Sequence, residues 1–113
     1  MKQDETKKEP ECALALASGD DGTGRFLLTG VLNFNSVLSL NMRANELFPK
    51  FTSITIDLTG ITYVNSAGLA LLLEWKRKAI LENRNMEILG APQKLLNIAR
   101  VSEIENILSF QKN

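Results

Sequence analysis

The chain has no histidine and a single cysteine, Cys12, in 113 residues. Histidine is the commonest general base and metal ligand near neutral pH, so its absence removes the usual route to acid–base and metal chemistry. One cysteine excludes an intrachain disulfide and a cysteine-based zinc site, and fits a reducing compartment. Neither charge sign is in excess, since 13 basic and 13 acidic residues balance. Nucleic-acid binders usually show a basic excess or stripe, so that class is disfavoured. No apolar run approaches the roughly 20 residues of a membrane helix, and the polar N-terminus does not read as a signal peptide. Neither GxxxxGK[ST] nor GxGxxG occurs, so no phosphate-cradling loop is expected. No base stands beside a candidate nucleophile. A hydrolase or transferase is therefore disfavoured, and no cofactor or metal is expected.

What is present has an ordinary globular balance, 44% hydrophobic and 23% charged, in a length suited to one core. Residues 1–11 are a charged run broken by Pro10, which predicts a disordered tail. Residues 12–113 are then a single domain. CALALA (12–17) alternates loosely and predicts a first strand, SGDDGTG (18–24) a turn, and RFLLTGVL (25–32) a second strand. These two strands pair as a hairpin, with Gly30 marking a bulge or a close backbone approach. Ser36 is placed to cap a helix running to about Phe48, with Val37, Leu40, Ala44, Leu47 and Phe48 near one face and Pro49 stopping it. ITIDL (54–58) is a buried strand that Thr59-Gly60 punctuates, and residues 61–64 cross back. A helix follows to about Leu81. Residues 86–90 form a short strand, and Pro92 begins a helix with Leu95, Leu96, Ala99 and Ile98 inward. Residues 101–110 read either as a short helix or as a terminal strand. The order β-β-α-β-α-β-α predicts an α/β fold, a mixed, mostly parallel sheet of four to five strands with three to four helices.

In such sheets function gathers where strand carboxyl ends meet helix N-termini, which is the place of Asn65-Ser66-Ala67-Gly68. Asn65 and Ser66 are both N-cap types. A hydroxyl at a helix N-terminus sits near a dipole that favours negative charge, so Ser66 is a candidate for binding, phosphorylation or nucleophilic work, or else is only a cap. Along the helix Leu69, Leu72, Leu73, Ala79 and Ile80 share one arc, with Lys76 able to lay its stem there. Leu71 and Trp75 stand on its shoulder, either exposed for a partner or covered by another element. Lys76, Arg77 and Lys78 read as a solvated, dipole-favoured cluster, and Cys12 as a small strand residue. Asp57, placed at the strand end, reads as an acceptor that positions the loop.

The strand ending IDLT, then YVNSAGLALLL, a basic helix end, MEILGA and an amphipathic helix, with LLTGVLN upstream, resemble a STAS domain over about residues 14–108. The resemblance implies the STAS fold and a non-enzymatic interaction module. Anti-sigma-factor antagonists of the SpoIIAA type carry Asp-Ser-Ser-Gly in this loop, and the partner kinase phosphorylates the second serine. Anchored on Gly68-Leu69, that serine falls on Ala67, the first serine on Ser66 and the aspartate on Asn65. The usual phosphosite thus lacks its hydroxyl. Ser66-Ala67-Gly68-Leu69-Ala70-Leu71-Leu72-Leu73 is more similar to the MlaB branch, the cytoplasmic STAS subunits of phospholipid-moving ABC transporters. That likeness implies docking on the ATPase subunit of an ABC transporter through Asn65, Ser66, Ala67 and Gly68, with Leu71 and Trp75 supplying apolar area. It also implies a place on the inner face of the inner membrane through the partner. The alternative is a signalling module that binds an anti-sigma factor or serine kinase through the same surface, with Ser66 as a phosphorylation site.

Overall fold

The computed structural model describes residues 12–102 and Leu108. Two largely apolar runs fold back on each other around Asp21-Gly22, giving β1 (Cys12–Asp20) and β2 (Thr23–Leu32), paired antiparallel. Asp20 pairs with Thr23, and both loop residues have positive φ, 50° and 81°. This is the primed two-residue turn whose twist matches its flanking strands, so pairing continues down to the loop. The turn expected over residues 18–24 is therefore only two residues long.

β2 leads into α1 (Val37–Leu47), a 3₁₀ turn at Phe48–Lys50, and β3 (Ser53–Val64). Then come α2 (Ser66–Leu81), β4 (Asn85–Leu89) and α3 (Gln93–Val101). The sheet order is β1-β2-β3-β4, with β2, β3 and β4 mutually parallel. The expected element order and mixed sheet are both present, with four strands. Leu108 is helical and fully buried. The tail expected at residues 1–11, and most of the stretch read as helix or strand at residues 101–110, lie outside the described residues.

Ser36 precedes α1 but does not cap it with its side chain. Its backbone is helical (φ −102°, ψ −20°), whereas a capping residue needs an extended backbone to aim its oxygen at the first turn. The Ser36 hydroxyl instead donates to the Val31 carbonyl at 2.9 Å and accepts from the Asn33 N–H at 3.0 Å, tying β2 to the turn.

β3 is one continuous strand, so Thr59-Gly60 does not end it and residues 61–64 do not cross back. Register shifts against β2 absorb the irregularity, one between Leu27 and Thr29 and one between Gly30 and Val31. Gly30 thus does mark a bulge. Asp57 lies in mid-strand rather than at the strand end. Its Oδ1 accepts from the Thr59 N–H at 2.9 Å and from the Thr59 hydroxyl at 2.8 Å, and its Oδ2 takes Arg25 Nη2 at 3.1 Å. β4 pairs no further than Asp57, opposite Leu89. The chain then leaves through Gly90 at φ +73°, where a side chain would strike Thr59. Asp57 therefore holds this bulge, not the loop at the end of β3.

The Thr59 N–H and hydroxyl, with the Arg25 guanidinium, hold the Asp57 carboxyl below its ordinary value against a desolvation that raises it. A depressed folded value stabilises the fold above the unfolded value, near pH 4 for aspartate. That contribution is lost as the pH falls through the lower folded value. Asp57→Asn is expected to flatten this acid limb, measured by urea denaturation across the acid range. At pH 7 it is expected to cost under about 1 kcal/mol, because the Arg25 pair is partly exposed. An acid limb as steep as the wild type's would refute the assignment.

Alternation along the strands puts Phe26, Leu28, Ile54, Ile56, Leu58, Met86 and Ile88 on one sheet face. They form a single core cluster with Leu40 and Ala44 of α1, Leu69 and Leu72 of α2, and Leu95 and Ala99 of α3. All three helices thus cover that face, while Arg25, Thr55, Asp57 and Glu87 stand on the other. Leu96 and Ile98 of α3 are half-buried. Cys12 joins the core, and burial pushes its thiol up to about 11. Edge-to-face ring contacts link Phe51 to Phe26, Phe26 to Phe48, and Phe48 to Trp75, the centroids 5.7, 5.2 and 5.1 Å apart.

Candidate functional site

Because β2, β3 and β4 are parallel, their carboxyl ends point the same way; β2 and β3 end side by side at Leu32 and Val64, where α1 and α2 follow, while β4 stops at Leu89 opposite Asp57 and α3 follows from there. Asn65 is the cap of α2. Its backbone is extended (φ −129°, ψ −169°), and its Oδ1 accepts the Ala67 N–H at 2.9 Å. Ser66 is the first helical residue and is exposed, so it is not the cap. Its hydroxyl makes no hydrogen bond among the described residues. Among the described residues no general base is paired with it.

The rest of the loop turns inward. Ala67 and Gly68 are buried. A Cβ on Gly68 would lie 2.6 Å from Leu32 Cγ and 2.8 Å from Val64 Cγ2. Gly68 therefore lets α2 approach its own sheet. Of the two alternatives for Leu71 and Trp75, the covered one holds, at 8% and 3% exposure. Trp75 Nε1 donates to Asn41 Oδ1 of α1 at 2.9 Å. Since α1 covers this shoulder, the buried arc of α2 is rotated toward it. Ile80, expected on the arc, is 62% exposed.

Of the three cations near the end of α2, Lys76 is partly buried and donates to the Met86 carbonyl, with its stem along the surface. Arg77 pairs with Glu74, and Lys78 donates to Asn45 Oδ1 at 3.1 Å. Only Arg77 and Lys78 are exposed as the cluster reading expects.

A feature that sequence reasoning missed lies next to Ser66. Phe34, Leu38 and Met42 are 73%, 71% and 61% exposed. Phe34, Val37 and Leu38, with Asn41, Ala67, Ala70 and Leu71, line an open groove of about 410 Å³ between α1 and α2. The signal was available: Phe34, Leu38 and Met42 recur every four residues, off the Leu40/Ala44 face, as a second apolar stripe. On the other side of Ser66, Lys94 Nζ sits 4.4 Å from the centroid of the half-exposed Tyr63 ring. Among the described residues no group of acids, cysteine or histidine is placed to hold a metal ion, and no helix is long and apolar enough to cross a membrane.

The fold is shared with solved proteins. SpoIIAA, an anti-sigma factor antagonist solved in its unphosphorylated form, superposes with a TM-score of 0.71 at 16% identity, covering 89% of this chain and 88% of that one. An anti-sigma factor antagonist from Mycobacterium paratuberculosis gives 0.70 at 11% identity, covering 93% and 87%. The murine anion transporter Slc26a9 gives 0.66 at 9% identity, covering 90% of this chain and 20% of its own. At these identities the likeness is one of fold alone. No curated protein matches in sequence. A family model described as "Mlab, STAS domain" does match, over residues 16–109. That match spans more than half of the chain, and the chain belongs to the Mlab-type STAS domain family.

Proposed function

We propose that this protein is a non-enzymatic STAS subunit that docks on, and supports, the ATPase of an ABC-type phospholipid transporter. It would act on the cytoplasmic face of the membrane and reach the membrane only through that partner. The observation that carries this reading is an exposed Ser66 beside an uncovered apolar groove, in a chain of the Mlab-type family. Exposed apolar area of this kind marks interaction surfaces. Ser66 contributes a hydroxyl at the contact, and Asn65 fixes the backbone that presents it. Leu71 and Trp75 act from beneath, by supporting α1 and the groove floor, rather than as exposed contacts. Bound copies would hold the ATPase in its active arrangement.

The test is affinity capture from native membranes with the wild type and Ser66→Arg. Ser66 is exposed, so the arginine variant folds, with a circular dichroism spectrum like the wild type's. The expected result is an ABC ATPase captured by the wild type and weakened at least about tenfold, or roughly 1.4 kcal/mol, by the substitution. Capture of the ATPase with equal strength by both proteins would remove Ser66 from the interface.

The second reading is an anti-sigma-factor antagonist or related signalling module that binds a serine kinase, and the fold likeness to SpoIIAA supports it. Ala67 offers no hydroxyl and is buried, so a phosphorylation cycle here would have to use Ser66. Label from ATP appearing at Ser66 with a cognate kinase, and no ATPase in the capture experiment, would select this reading.

A further inference from the structure

The loops along the carboxyl edge of the sheet are nearly free of charge. Residues 33–36, 63–68 and 90–94 contain one charged side chain, Lys94, and no acid. None of α1, α2 and α3 has an acid in its first turn, where acids are favoured. Asp57 pairs with Thr59 and Arg25, Glu74 with Arg77, and Glu46 with Arg43. The strand order β2-β3-β4 puts the Phe34 loop on one side of the end of β3, and on the β4 side Lys94 reaches the ring of Tyr63, three residues before Ser66. The Phe34 side opens into the groove. None of the residues lining the groove is charged, and its one amide, Asn41, already accepts from Trp75. An apolar groove thus opens onto loops whose one charged side chain is the cation Lys94.

We infer that this face takes an amphipathic helix with an acidic flank from the partner, an inference that rests on the docking function proposed above. Its apolar residues enter the groove between α1 and α2, and its carboxylates lie over Ser66 toward Lys94. The small side chains of Ala67 and Ala70 let a helix settle close to α2. The groove is open, whereas small-molecule sites enclose most of their ligand. The charge term acts at the exposed rim, so it sets orientation and weakens with salt.

The probes are two synthetic helical peptides with the same leucine stripe, one carrying glutamates and the other lysines on the same flank. Each is titrated into the isotope-labelled full chain and followed by amide chemical shifts. The expected shifts fall on Phe34, Leu38, Ser66, Ala67, Ala70 and Lys94, with the glutamate peptide at least about tenfold tighter. Lys94→Glu is expected to abolish that preference, and Leu38→Glu to weaken both peptides. Both positions are exposed, so the variants keep the fold, checked by circular dichroism. No binding, equal affinities, or shifts mapping to another face would overturn the inference. The purified ATPase separates the two readings. If it binds the wild type and both variants alike, the acidic-helix inference fails and the docking subunit stands. If the glutamate peptide behaves as expected but the ATPase does not bind, the transporter reading fails alone.

Discussion

Trp75→Ala is expected to destabilise the fold by about 4 kcal/mol, the largest effect of any substitution considered for this protein. The indole is 3% exposed, packs edge-on against Phe48 at 5.1 Å, and donates its N–H to Asn41 at 2.9 Å. Truncation leaves a cavity where α1, α2 and the aromatic chain meet, and it leaves Asn41 without its partner. Urea denaturation followed by circular dichroism checks it. With a slope of about 1.5 kcal/mol/M, the midpoint falls by roughly 2.5 M. Trp75→Phe separates the contributions. It keeps one aromatic ring against Phe48 and removes the hydrogen bond, for a loss of about 1 kcal/mol beyond that of the smaller side-chain volume. If Trp75→Ala were as stable as the wild type but lost its partner, the indole would be a contact residue and its burial in the isolated chain would be misleading. The expected pattern is the reverse: any loss of binding tracks the unfolded fraction.

The second large effect is expected at Gly68. Alanine there places a methyl group 2.6 Å from Leu32 Cγ and 2.8 Å from Leu32 Cδ2 and Val64 Cγ2. Leu32 and Val64 are themselves fully buried, so neither has space to withdraw. Overpacking of this kind costs about 3 kcal/mol. Alanine returns about 1 kcal/mol through helix propensity, so the net loss is near 2 kcal/mol. For a domain of this size that lowers Tm by roughly 10 °C in a thermal melt. An unchanged or raised Tm would show that propensity outweighs the clash and that α2 has slack against the sheet. The variant also tests the site, because relief of the clash has to lift the head of α2 and displace Ser66.

How far the fold could be read in the sequence depended on the length of each signal. Long periodic segments with clear breakers, the Ala- and Leu-rich α2 and the apolar α1 ending before Pro49, declared themselves. β3 did not, because Thr59-Gly60 is locally a turn sequence. The long-range pairing with β2, bulged here, and the Arg25–Asp57 contact keep the strand running through it, with the local Asp57–Thr59 bond inside the bulge. Ser36 misled for a similar reason. It is a cap residue by type, but the end of β2 offers its hydroxyl a backbone carbonyl at hydrogen-bonding distance.

The site was half legible. Asn65 and Ser66 sit at the head of α2 as their chemistry implied; of the two cap types Asn65 is the one that caps, and Ser66 is left exposed. Leu71 and Trp75 were ambiguous because a helix wheel shows which residues share a face and not how many neighbours press on it. The groove was harder to read because the buried stripe of α1 through Leu40 and Ala44 already accounts for an amphipathic helix, while Phe34, Leu38 and Met42 form a second apolar stripe that the core does not need.

The Trp75–Asn41 bond has a practical consequence. The chain has one tryptophan, and that residue touches α1, α2 and the ring cluster at once. Its emission is therefore a native optical gauge of how α1 is seated, readable without any added dye. The same Asn41 lines the groove, one bond away from the indole. A guest entering the groove and tugging on α1 would change the colour of that light within the time of mixing, so Trp75 would report occupancy of the groove.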